Sequence, residues 1–302
     1  MKVIQAKSAG FCYGVQRAVE LAEQTARERG GCVMLGSIIH NAHVVQHLEQ
    51  LGAHQVAGPE EIRPGDTVLI RAHGEKKQVI GHLKDIGAEC VDATCPNVLR
   101  VQQIVAQADA EGRVPIIIGD PNHPEVMGVA SWSARSVVFE GAEALQRWLD
   151  EDPARRELPL TAVAQTTCIR IIWDGAAEIL KKQCTNAKIF DTICNATHKR
   201  QSEAAELASQ VDVMVVVGDR KSANTKHLTE ICSRQCPAVY QIERAEELKR
   251  DFLTGCSVAG LTAGASTPAG IIKEVYTTMS EEIKTMEPTE ESFEEMLEKS
   301  FK

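Results

Sequence analysis

The sequence predicts an α/β protein built as three similar small lobes in a pseudo-threefold arrangement. Three observations predict it. Cys12, Cys95 and Cys194 are each followed, twenty-four positions later, by a glycine closing an apolar run: Gly36, Gly119 and Gly218. Four residues beyond each glycine stands a polar, ligand-capable residue, in turn His40, His123 and Ser222. The segments between carry strand-like and helix-like patterns in the same order. Self-similarity at a fixed period marks a repeated structural unit.

Taken in order, a short β-rich run leads into each cysteine: Lys2–Ala6, Glu89–Val91 and Lys188–Phe190. In the second and third copies an aspartate, Asp92 or Asp191, stands three before the thiol. Helical spacing follows in copy one (Val15, Ala18, Val19, Ala22) and copy two (Val98, Val101, Ile104, Val105), and more weakly in copy three (Ala204, Ala205, Ala208). A strand comes next, at Cys32–Leu35, Val114–Ile118 and Val211–Val217. A second strand in each copy ends in a polar cluster, at His73-Gly74, Thr166-Thr167 and Gly264 to Ser266. Alternation of this length indicates parallel α/β units. Ligands of such sheets bind beyond the carboxyl ends of the strands. Three lobes would therefore direct two strand ends each toward one central cavity. The lobes are expected at residues 13–95, at 96–193, and at 1–12 together with 194–280, leaving 281–302 as an acidic tail or linker.

Composition narrows the function classes. The chain has 302 residues, 43% hydrophobic and 25% charged, and a net charge of −9. The last 22 residues hold eight Glu against three Lys, so the body is only mildly acidic. That balance argues against broad nucleic-acid binding. No apolar stretch is long enough to span a bilayer, and the first residues lack a signal-peptide core, which predicts a cytoplasmic protein. Ten cysteines in that compartment imply reduced thiols and a metal site, not a disulfide framework.

A single free cysteine is usually core filler. Three at equivalent places in a threefold repeat are a different matter, because they can meet on the axis. Zinc sites ordinarily use close pairs such as C-x2-C, so the pattern favours an iron–sulfur cluster held by Cys12, Cys95 and Cys194, with one iron lacking a protein ligand. Helix starts after each cysteine would favour thiolate. Cys232 and Cys236, the only short pair, are expected to be packing residues, with Cys32, Cys90, Cys168, Cys184 and Cys256. His40, His73 and His123 each follow an apolar run at a turn and are expected to face a ligand. His43, His47, His54, His82 and His227 are expected to be solvated. Ser222, Asn224 and Ser266 stand at helix starts, where the commoner fate of such residues is a plain N-cap; together with the imidazoles they also make a good diphosphate cradle. Neither a G-x-x-x-x-G-K-[ST] loop nor an intact G-x-G-x-x-G fingerprint is present.

The ordered motifs Phe11-Cys12-Tyr-Gly, Ile39-His40-Asn41, Ala72-His73-Gly74, Asp92-Ala-Thr-Cys95-Pro, His123-Pro-Glu125, Gln165-Thr166-Thr167, Asp191-Thr-Ile-Cys194, Ser222-Ala-Asn224 and Thr262 to Ser266 resemble the 4-hydroxy-3-methylbut-2-enyl diphosphate reductase family from about residue 1 to 280. The resemblance implies a three-lobed fold around a [4Fe–4S] cluster on Cys12, Cys95 and Cys194. It implies the last step of the non-mevalonate isoprenoid pathway, with electrons from a donor such as ferredoxin or flavodoxin. Carried over by position, His40, His73, His123, Ser222, Asn224 and Ser266 would hold the allylic diphosphate. Glu125 would deliver the proton, assisted by His123, while Thr166 and Thr167 would touch the substrate. One departure is Ala223 where the family often has a second serine; another is the less glycine-rich run Gly218-Asp219-Arg220-Lys221.

The tail carries a small amphipathic pattern at Phe293, Met296, Leu297 and Phe301. It resembles the entry to the RNA-binding OB-fold repeats of a ribosomal protein, so RNA is expected only through a C-terminal extension. Two rival readings stand beside the reductase. One is another three-cysteine enzyme, quinolinate-synthase-like or diphthamide-forming. The other is a non-enzymatic iron–sulfur sensor or RNA-associated protein.

Overall fold

The computed structural model describes residues 2–286. Twelve strands form three four-stranded, wholly parallel sheets, one per lobe. The first lobe orders its strands β3-β2-β4-β5, namely Ala53–Val56, Cys32–Leu35, Thr67–Ile70 and Glu89–Asp92. The second orders them β7-β6-β8-β9, namely Val137–Phe139, Val114–Ile118, Leu160–Ala164 and Ala187–Ile189. The third lobe uses β10 (Val213–Val217), β11 (Val239–Ile242) and β12 (Val258–Ala263), and takes its fourth strand from the chain start, β1 (Lys2–Gln5). Lys2 pairs with Val258 and Gln5 with Leu261. The sheet order is the same in all three, as the repeated spacing requires.

Central and edge strands read differently in the sequence for a physical reason. Strands β2, β8 and β10 are buried at every residue, since helices cover both faces of a parallel sheet. Edge strands β1, β5 and β9 have no fully buried residue, which is why their patterns are short and faint. Pro115 sits inside β6 without breaking it, because β7 begins pairing only at Ile116.

Backbone hydrogen bonds repeat as faithfully as the sequence spacing. Gly36, Gly119 and Gly218 donate their N–H groups to Val56, Phe139 and Ile242, the last residues of the neighbouring edge strands. Cys95, Cys194 and Cys12 donate theirs to the carbonyls of Ala72, Thr166 and Ala265, just beyond β4, β8 and β12, at 2.9, 3.1 and 3.3 Å. Each cysteine is then the N-cap of a helix: α1 (Tyr13–Arg29) after Cys12, α4 (Pro96–Ala110) after Cys95, and α8 (Asn195–Ala208) after Cys194. Helix α8 looks weak by periodicity because its buried face includes Thr197, Arg200 and Gln201.

The remaining helices are α2 (Ala42–Gln50), α3 (Lys77–Asp85), α5 (Pro124–Ala130), α6 (Ala142–Glu151), α7 (Arg170–Gln183), α9 (Ala223–Ser233) and α10 (Ala269–Met286). Helix α10 continues past residue 280, so the start expected for the tail at 281 lies inside a helix. The amphipathic pattern from Phe293 to Phe301, and with it the RNA-linked reading, lies outside the described residues. Among the described residues no helix is long and apolar enough to cross a membrane.

Candidate functional site

The three cysteine-capped helices point their N-termini into one cavity of about 130 Å³ at the meeting of the lobes. Every residue of the sequence-derived set lines it: Cys12, Cys95 and Cys194, then His40, His73 and His123, then Glu125, Thr166 and Thr167, and finally Ser222, Asn224 and Ser266. They come from nine segments far apart in sequence, brought together by strand ends alone.

The three cysteines line the cavity at the starts of their helices. A Cβ added at Gly14 would lie 2.5 Å from Cys95 Sγ, which shows how closely the start of α1 approaches the second lobe. Cys194 Sγ accepts from the Thr197 N–H at 3.4 Å and lies 3.1 Å from its hydroxyl. Burial raises the Cys95 thiol above its ordinary pKa. The Asn97 and Val98 N–H groups oppose this, and the neighbouring Cys12 and Cys194 add to it. Three thiolates this close repel one another unless a cation lies between them, which is the donor set of a metal cluster. The other cysteines differ in kind. Cys32, Cys168, Cys232 and Cys236 are buried among apolar side chains. Burial pushes the thiols of Cys32 to about 11 and of Cys168 and Cys232 to about 12.

The three imidazoles form a compact cluster in the same cavity. Their ring centroids stand 4.6 Å apart for His40 and His73, 5.5 Å for His73 and His123, and 6.1 Å for His40 and His123. Burial holds all three below the usual histidine range, with His123 down at about 4, so they are neutral at pH 7. His123 caps α5, and its Nδ1 accepts from the Glu125 N–H at 3.1 Å. Its proton therefore sits on Nε2, which makes it a donor. Nitrogens from the three rings lie within 4.8 Å of one another, a spacing that also suits a metal ion. The His123 tautomer and the surrounding donors favour an anion instead.

Six polar atoms around this cavity are buried without a partner: His40 Nε2, His73 Nδ1, Asn224 Nδ2, Ser266 Oγ, Thr167 Oγ1 and Arg200 Nη1. Each orphan costs about 1–3 kcal/mol, so their convergence marks a polar ligand's place. Ser222 caps α9 by accepting from the Thr225 N–H at 3.4 Å, leaving the Ala223 and Asn224 N–H groups of that turn for an anion. The backbone N–H of Ala223 belongs to that turn, so losing a serine hydroxyl there does not remove a donor from the main chain.

Glu125 lines the same cavity and is 2% exposed. Its Oε1 accepts from the Thr166 N–H at 2.6 Å and its Oε2 from the Thr166 hydroxyl at 2.8 Å. Burial pushes its carboxyl up to about 7, against the pull of those two bonds. A carboxyl poised at neutrality in a cavity is suited to proton transfer.

Some details depart from the sequence reading. His227 is not solvated: half-buried on α9, its Nδ1 lies 2.7 Å from the Thr167 carbonyl and pins that loop. In copy one the loop after Gly36 is one residue longer, so the helix cap is Asn41 where His123 and Ser222 cap the other copies. By cap register Glu125 therefore aligns with Asn224 and His43. Gly14 and Arg200 line the cavity without any sequence signal, because a lone glycine or arginine carries no pattern. Gly14 supplies a first test: Gly14→Ala forces a methyl into Cys95 Sγ, so bound iron should fall several-fold on reconstitution while the far-ultraviolet circular dichroism is kept.

The chain is similar to known proteins over nearly its whole length. The family described as LytB protein matches residues 3–280. A 4-hydroxy-3-methylbut-2-enyl diphosphate reductase of Caldanaerobacter subterraneus is 39% identical over 297 residues, covering 97% of this chain and all of that protein. One from Anaeromyxobacter is 40% identical, covering 91% of this chain and 95% of that protein. A solved reductase described as the terminal enzyme of the non-mevalonate pathway is 38% identical, with a TM-score of 0.67 over 93% of this chain and all of that one. The Plasmodium falciparum reductase is 26% identical, with a TM-score of 0.86 over 91% of this chain and 87% of that one.

Proposed function

The chain belongs to the LytB family, and from that premise we propose that its central cavity binds a [4Fe–4S] cluster and the family's allylic diphosphate side by side. The enzyme reduces 4-hydroxy-3-methylbut-2-enyl diphosphate to isopentenyl or dimethylallyl diphosphate. Two electrons and two protons enter, the allylic carbon–oxygen bond breaks, water leaves, and one carbon of the allyl unit gains hydrogen. Family membership over almost the whole chain sets aside the quinolinate-synthase-like and non-enzymatic alternatives.

The single observation that carries the reading is that one cavity is lined by three helix-capping thiols, a set of orphaned polar donors and one poised carboxyl. Cys12, Cys95 and Cys194 would hold the cluster, which when bound supplies one-electron transfer and an iron without a protein ligand. His40, His73, His123, Ser222, Asn224 and Ser266 would take the diphosphate. Their hydrogen bonds gain strength because the acceptor is charged while the donors are neutral. Glu125, protonated, turns its bond to Thr166 around and donates to the hydroxyl oxygen. The Thr166 proton is then free to point at the substrate oxygen. A proton can pass from Glu125 through Thr166 to the departing oxygen, with no water admitted. Thr167, held by His227, would close the same wall. Tyr13, 74% exposed yet lining the cavity, leaves one side reachable by a small one-electron carrier such as ferredoxin or flavodoxin.

Turnover of the allylic diphosphate by the reconstituted protein, with dithionite and a mediator dye, tests the reading; a cluster-loaded protein without turnover would sink it. The phosphate contacts are tested separately. A hydrogen bond to a charged group is worth about 1.5–3 kcal/mol, so His40→Ala or Asn224→Ala should weaken substrate binding roughly 10- to 100-fold. The visible spectrum should not change. Wild-type affinity in both variants would remove these residues from the diphosphate.

A further inference from the structure

An arginine from a neighbouring helix stands at the approach to each of the three cysteines, and two of the three brace that approach with hydrogen bonds. Arg17, five residues after Cys12 on α1, donates to the carbonyls of Thr94 and Asp92 at 3.2 and 3.3 Å, the segment entering Cys95. Arg100, five after Cys95 on α4, lines a second, outer cavity with Asp191, Thr192, Ile193 and Cys194, the segment entering Cys194. Arg200, six after Cys194 on α8, donates from Nε to the Ser8 carbonyl at 3.0 Å and from Nη2 to the Gly10 carbonyl at 2.8 Å, the segment entering Cys12. The helices after Cys12 and Cys194 thus hold the approach to another cysteine by hydrogen bonds, while Arg100 only stands beside the third approach.

Arg200 stands apart from the other two. It is 3% exposed, it lines the central cavity, and its Nη1 is buried with no partner. Cys12, Cys194 and Glu203 are the groups whose ionised forms would favour its charge. Glu203, one turn further along α8, makes no ion pair with it. Its oxygens instead accept from the Lys7 N–H at 2.7 Å, from the Ser8 N–H at 2.8 Å and from the Ser8 hydroxyl. A guanidinium buried without a carboxylate is costly unless another negative charge completes its surroundings. Three thiolates around an iron–sulfur core are such a charge, and it grows by one with each electron accepted.

We propose that Arg200 is a positioning residue for the cluster, with two roles carried by different nitrogens. Nε and Nη2 lock the Cys12 loop to the helix that Cys194 caps, fixing the separation of those two thiols. Nη1 places a permanent positive charge beside the thiolates, favouring the reduced state and raising its reduction potential. The proposal rests on the iron–sulfur reading of the site, and the experiment separates the two. Iron and sulfide counts near four per chain in the reconstituted wild-type protein establish the cluster; their absence would remove the reading itself.

Given that cluster, three variants divide the roles. Arg200→Gln removes the charge. At a fixed electrode potential near the wild-type midpoint its reduced-to-oxidised ratio should fall at least tenfold, which is 59 mV for a one-electron couple. Arg200→Lys keeps a charge but cannot span two carbonyls. Its midpoint should stay near wild type while chelator strips the cluster several-fold faster. Glu203→Gln loosens the Lys7–Ser8 loop without touching the guanidinium, and should also speed cluster loss at an unchanged midpoint. Circular dichroism reports folding. If Arg200→Gln does not fold, the loss rates of Arg200→Lys and Glu203→Gln decide. Wild-type loss rates in both would overturn the proposal, as would a wild-type midpoint in a folded Arg200→Gln. So would an effect of Arg200→Lys confined to diphosphate affinity.

Discussion

Replacing Cys95 with Ser should abolish the broad visible absorption of the reconstituted protein, cut bound iron at least several-fold and leave no measurable turnover. The same is expected at Cys12 and Cys194. The reason is positional: each thiol stands on the N-cap of its own helix, tied by its backbone N–H to the equivalent carbonyl of its lobe. No thiol outside the three lines the cavity to replace a lost one. A serine oxygen in the same place is a harder and far less acidic ligand, poorly matched to iron that prefers thiolate. Cys232→Ser and Cys236→Ser are the controls. Both thiols are buried in the core between α8, α9 and β10, so these changes should lower stability by about 1–3 kcal/mol while the spectrum stays intact. An intact cluster in Cys95→Ser, or its loss in Cys232→Ser, would contradict the threefold assignment.

The threefold repeat was legible because it has few ways to vary. The glycines that end β2, β6 and β10 all make the same backbone bond, and the cysteines all cap a helix, so spacing is conserved between copies by geometry. The expected α/β architecture of three lobes is the one observed. What the spacing could not carry was anything made by a single copy. His227 lies on α9 in a polar stretch, and only the path of the Thr167 loop gives it a partner. Arg200 looks like one more charge in His198-Lys199-Arg200, and only the entry of β1 into the third lobe buries it against Ser8 and Gly10. The one-residue offset of copy one is likewise invisible by counting, since His40 and Asn41 both read as caps. The site was found by symmetry, and its asymmetric parts needed the fold.

Those asymmetric parts carry the chemistry, and Glu125 is the clearest of them. By cap register its counterparts are Asn224 and His43, so one lobe alone places a carboxyl at the second position of its helix. Buried and bonded only to Thr166, that carboxyl titrates at about 7. Glu125→Gln keeps the shape and both bonds: its carbonyl accepts the Thr166 N–H, and its amide donates to the hydroxyl. It cannot deliver a proton. Turnover should fall by at least ~10²-fold, the lower end for general acid catalysis, with the cluster spectrum and diphosphate affinity unchanged. In the wild-type enzyme the acid form is lost as pH rises through about 7, so turnover should decline across that range, and the residual rate of Glu125→Gln should lose this limb. Stability gives an independent check. The folded carboxyl titrates at about 7 against about 4.5 when unfolded, so the folded state holds more protons between those values. Wild-type stability therefore drops as pH rises from about 4.5 to 7, by roughly 3 kcal/mol. Glutamine has no proton to lose, so thermal unfolding of Glu125→Gln should occur above wild type at pH 8 and close to it at pH 4. A variant that turns over normally would shift the proton to another group. One that shows no pH-dependent gain in stability would place the carboxyl in a wetter setting than its burial between Thr166 and His123 describes.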